Sequence, residues 1–93
     1  MKTMTNAQLH EAMVAALAAA LAPTALELVD DSAAHAGHAG ARSGAHFNLR
    51  IVSPRFAGLA RIARHRLVYD ALRPWMAEGV HALAIDARTP DEA

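Results

Sequence analysis

Apolar residues recur at every fourth position over Leu9, Met13, Leu17 and Leu21, behind Thr5 and Gln8, which have the spacing of a capping box. This pattern predicts an amphipathic first helix, ended by Pro23. The period then shortens to two. Leu26 and Leu28 alternate with Glu27 in a short strand that reaches Asp30 or Asp31. From Ser32 to about Gly44 the chain is rich in Gly, Ala and Ser, a loop well above the usual ~2–5 residues of a hairpin connection. Phe47, Leu49 and Ile51 then share one parity, with His46, Asn48 and Arg50 on the other, so residues 46 to 52 read as a half-exposed strand. The two strands are expected to pair as an antiparallel hairpin.

Ser53 is a good N-cap and Pro54 suits a first helical position, which predicts a short helical turn broken near Gly58. A longer helix follows from about residue 61, with Ile62, Leu67, Val68, Leu72 and Met76 available for its buried face. Pro74 is expected to kink or interrupt it, because its ring meets the carbonyl four residues back. Gly79 marks the stop, and residues 80 to 87 begin a third strand at once. Thr89 to Glu92 either start a last turn or fray. The predicted order is α-β-β-α-α-β, an α+β domain whose three-stranded sheet carries its helices on one face.

Composition limits the size of the core. The chain has 93 residues, and 24 of its 50 apolar residues are alanines, so one modest core in a single domain is expected. Nine basic residues balance nine acidic ones, which leaves no global field favouring nucleic acid or an anionic membrane. The Ala-rich stretch near residues 12 to 22 falls short of the roughly 20 strongly apolar residues of a membrane span. No signal-peptide pattern is present either, and the cytosol is the expected compartment. There are no cysteines, so the chain has no thiolate to offer a metal. Its soft-metal ligands are the histidines at 10, 35, 38, 46, 65 and 81.

Two groups carry candidate chemistry. Arg55, Arg61, Arg64, His65 and Arg66 gather at the start of the second long helix, where charge-assisted hydrogen bonds to phosphate or carboxylate are available. Helical geometry sets Arg61 and Arg64 together while His65 and Arg66 turn away, and Asp70 stands one turn beyond Arg66 as a pairing partner. In the loop, His35 and His38 are three apart beside glycines, a weak metal signal by itself. His81 shares the parity of Leu83 and Ile85, and alternation alone points it at the core. Tyr69, Phe47 and Phe56 read as core, whereas His10 and His46 have no motif behind them and read as surface residues. No nucleophile, base and orienting acid stand together, and no catalytic turnover is expected.

The run Ser53-Pro54-Arg55-Phe56-Ala57-Gly58, followed by Arg64-His65-Arg66-Leu67-Val68-Tyr69 and Val80-His81-Ala82-Leu83, resembles the BolA family over about residues 25 to 88. The resemblance implies a small α+β fold akin to a type II KH arrangement. It implies a monothiol glutaredoxin as partner in a heterodimer, and a bridging [2Fe–2S] cluster shared with that glutaredoxin and its glutathione. The cluster ligands it implies here are His35, which follows Asp30-Asp31-Ser32 at the family's spacing, and His81, with His38 as substitute for His35. The family commonly has Glu where this chain has Asp31. Some members are linked to DNA, so the alternative expectation is a DNA-binding regulator using Arg61, Arg64, His65 and Arg66. The isolated chain is expected to be a monomer or weak homodimer with no tightly bound cofactor and no membrane attachment.

Overall fold

A computed structural model describes residues 4 to 31 and 45 to 93. The first helix, α1 (Asn6–Leu21), starts at the expected box: the Thr5 hydroxyl accepts from the Gln8 backbone N–H at 3.1 Å while the Gln8 side chain accepts from the Thr5 N–H at 2.8 Å. Leu9, Met13, Leu17 and Leu21 are all buried, as their spacing predicts. The helix ends at Ala22, which takes the left-handed conformation at φ 43°, ψ 55° and donates its N–H to Ala18.

Strand β1 (Ala25–Asp30) pairs antiparallel with β2 (Ala45–Val52), with Leu28 opposite Leu49 and Glu27 opposite Arg50. Helix α2 (Arg61–Met76) then carries the chain back, so that β3 (Val80–Arg88) lies parallel to β2 and the sheet order is β1-β2-β3. Such a parallel return requires a crossover element, which α2 supplies. Phe47, Leu49 and Ile51 face a core shared with both helices, together with Phe56, Val68 and Leu72. His46, Asn48 and Arg50 belong to the opposite parity, the face of the sheet that the helices leave uncovered.

Several local expectations change. The short helical turn expected between β2 and α2 is a single 3-10 turn, Pro54–Phe56, capped by Ser53, so the domain has two long helices and a three-stranded sheet. Ile62 is 63% exposed and Tyr69 41% exposed. The buried stripe of α2 is set by Val68 and Leu72, about 40° apart around the axis, whereas Ile62 points about 120° away from Val68. Pro74 does not interrupt α2, which runs unbroken through it and stops two residues later, where few intrahelical bonds remain to lose. His10 is half-buried rather than on the surface. Its Nε2 lies 2.5 Å from the Leu28 carbonyl oxygen, which can only accept, so that nitrogen carries the proton.

Ser53 ties three elements together. Its side chain is fully buried; the hydroxyl donates to the Leu21 carbonyl at 2.6 Å and accepts from the Arg55 N–H at 3.1 Å. Its own backbone N–H donates to the Arg88 carbonyl at 2.9 Å. The end of α1, the end of β2 and the end of β3 therefore meet at one residue.

Candidate functional site

The head of β3 is irregular in a way that matters. Gly79 has φ 122°, a conformation L side chains rarely adopt, and its carbonyl accepts from the Ala45 N–H at 2.8 Å. Val80 pairs with Ala45, but the next residue of β2, His46, pairs with Ala82. His81 is thus the extra residue of a β-bulge, and the alternation that pointed it at the core is broken there. Both His81 and Ala82 are exposed, while Leu83 returns to the side of the sheet that packs on the helices.

The bulge sets His81 beside His46. Their ring centroids are 5.1 Å apart and their planes are tilted by 46°. His46 is half-buried and belongs to the uncovered face of the sheet, so the pair stands away from the helices. The Asp31 N–H donates to the His46 carbonyl at 2.7 Å. The chain that carries the loop histidines therefore leaves the sheet beside His46 and re-enters it at Ala45. His35 and His38 themselves lie outside the described residues. Among the described residues no group of three or more His, Asp or Glu side chains gathers as a ready-made metal cage.

The basic cluster is arranged differently from its sequence reading. An open cleft of about 640 Å³ lies between the start of α2 and the far half of β3, lined by Arg61, Arg64, His65, Asp86, Arg88 and Glu92 among others. Arg64 is tied down within it. Its Nη1 and Nη2 donate to the two Glu92 carboxylate oxygens at 2.5 and 3.1 Å, its Nε to the Leu59 carbonyl at 2.9 Å, and Nη1 also to the Ala87 carbonyl at 3.2 Å. Only 14% of the Arg64 side chain is exposed. The tail that was expected either to turn or to fray forms a 3-10 turn, Pro90–Glu92, in which the Thr89 N–H also donates to Glu92 at 2.9 Å. The Arg64 guanidinium and the Thr89 N–H together hold the Glu92 carboxyl down to about 2. Asp86 is likewise lowered, mainly by its hydrogen bond from Arg88 at 2.9 Å.

Of the expected contact residues, Arg61 and His65 line the cleft with Arg64, and Arg66 is exposed outside its lining. Asp70 pairs with Arg73 at 2.6 Å instead of Arg66. Sequence reading missed His46 and Glu92 as members of these sites. His46 had a usable signal, since its parity sets it on the outer face, but its neighbour depends on the register between β2 and β3.

Comparison with known proteins comes to the same architecture. The family model described as BolA-like protein matches residues 17–92. The chain is 48% identical over 79 residues to BolA-like protein 1 of Mus musculus, covering 85% of this chain and 56% of that one. It is 50% identical over 78 residues to SufE-like protein 1, chloroplastic/mitochondrial, of Arabidopsis thaliana, covering 77% of this chain and 21% of that protein. The chain thus spans from about a fifth to somewhat over half of these two curated relatives. The solved structure of BolA1 from Arabidopsis thaliana superimposes with a TM-score of 0.79 at 38% identity, covering 97% of this chain and 99% of that one. Among the described residues no helix is long and apolar enough to cross a membrane.

Proposed function

The chain belongs to the BolA-like family, and from that premise we propose that it partners a monothiol glutaredoxin and supplies imidazole ligands to a bridging [2Fe–2S] cluster, in iron–sulfur trafficking or iron and redox regulation. The observation that carries this reading is the exposure of His81 on the bulge at the head of β3. A histidine held in the core, as its parity suggested, has no route to a shared cofactor.

The donor set suits one half of such a cluster. With no cysteine in the chain, the thiolates must come from the glutaredoxin and its glutathione, and His35 and His81 would hold the iron on this side, with His38 as substitute. Histidine ligation leaves a cluster less negative and raises its potential relative to thiolate ligation. Each imidazole must also be neutral to ligate, which makes the shared site pH-dependent. Both properties favour release or sensing over inert storage. Arg61 and His65, which line the cleft beside the engaged Arg64, support a docking role for glutathione or the partner, with Arg66 outside it. The DNA-regulator alternative is weakened by Arg64, whose guanidinium is already held by Glu92 and two carbonyls.

Mixing the purified chain with a glutathione-loaded monothiol glutaredoxin under cluster reconstitution is expected to change the visible spectrum from that of the glutaredoxin homodimer. His81→Ala is expected to abolish the change. A mutant spectrum identical to the wild-type mixture removes His81 from the ligand set.

A further inference from the structure

We propose that His46 and His81 form a site for a single divalent transition-metal ion of the zinc type on the isolated chain. The argument begins with distance. In a tetrahedral site each Zn–N bond is about 2.0–2.1 Å, which puts each imidazole centroid about 3.2 Å from the metal and two such centroids about 5.2 Å apart. The observed separation is 5.1 Å, and the 46° tilt is not that of stacked rings. The two residues stand on neighbouring, hydrogen-bonded strands, and the bulge at His81 fixes their offset, so their backbones are set side by side before any metal arrives.

The chemistry of the donors narrows the metal. Imidazole nitrogens suit zinc, copper and nickel, and poorly suit calcium or magnesium, which prefer oxygen ligands. Among the described residues no group of three His, Asp or Glu side chains gathers there, so the proposal rests on the two imidazoles as protein ligands. The site does not depend on the cluster reading, although it uses His81. If both hold, a divalent ion and the shared cluster compete for the same imidazole.

The test uses the full chain alone, without glutaredoxin or iron. Co²⁺ is titrated and followed by its visible absorption, and Zn²⁺ by calorimetry, for the wild type, His46→Ala, His81→Ala and a His35→Ala/His38→Ala double variant. One ion per wild-type chain is expected. Loss of a mere outer-sphere partner already weakens metal sites about 10–100-fold, so each of His46→Ala and His81→Ala is expected to weaken binding by at least about 100-fold. The double variant is expected to stay within about threefold of wild type, less than that outer-sphere loss. Affinity unchanged in His46→Ala, or abolished in the double variant, overturns the assignment. His46→Gln with an unchanged far-ultraviolet spectrum guards against misfolding, and ring resonances of His46 and His81 that fail to shift with Zn²⁺ overturn it as well.

Discussion

Replacing Ser53 by alanine removes one oxygen and leaves two backbone groups without their partner. The Leu21 carbonyl, at the end of α1 where no intrahelical donor remains, loses the hydroxyl that stands at 2.6 Å, and the Arg55 N–H loses its acceptor at 3.1 Å. An unsatisfied buried acceptor costs about 1–3 kcal/mol. A lost N-cap typically costs about 1 kcal/mol more. The sum, about 2–4 kcal/mol, is a large part of the ~5–15 kcal/mol that holds a small domain together. For a domain of this size it corresponds to a fall in Tm of roughly 10–25 °C. Urea unfolding followed by circular dichroism, with Thr24→Ala as control, measures it. The Thr24 hydroxyl makes only a 3.4 Å bond to the Val52 carbonyl, and its loss is expected to cost less than about 0.5 kcal/mol. A Ser53→Ala loss as small as the control's refutes the view that this side chain fastens α1 to the sheet.

Other perturbations have definite signs. Gly79→Ala meets nothing closer than 3.6 Å from Leu9 Cδ1, so its expected loss of about 1–2 kcal/mol is purely conformational, and crosspeaks between the His46 and His81 rings should weaken with it. Ala22→Gly, at φ 43°, is expected to stabilise the fold by up to about 1 kcal/mol; a loss in urea unfolding contradicts the strain assigned to that cap. The Glu92 carboxyl lies near 2 in the folded protein against an ordinary 4.5, so its contribution is present above pH 4.5 and disappears as pH falls toward 2. Arg64 Nη–H and Thr89 N–H resonances, the donors to Glu92, should move as pH approaches 2 in the wild type and not in Glu92→Gln.

What was legible in the sequence was local. The Thr5–Gln8 box and the four-residue stripe from Leu9 to Leu21 need only one helix turn to be read, and the parity of Phe47, Leu49 and Ile51 needs only one strand. The contacts that make the sites are not local. Arg64 meets Glu92 across 28 positions, and Ser53 meets Leu21 across 32. The orientation of His81 hinges on a single inserted residue, and period-two reasoning inverts at such a point. The second long helix was read with too wide a buried face because Ile62 and Tyr69 are apolar by composition and lie off the stripe through Val68 and Leu72.

The claim that this chain gives imidazole to a shared cluster is tested most directly by labelling only its histidines with ¹⁵N and recording pulsed EPR on the reduced complex with an unlabelled monothiol glutaredoxin. The account predicts ¹⁵N couplings of directly bonded nitrogen, diminished in His81→Ala. A cluster spectrum without ¹⁵N coupling from this chain contradicts it.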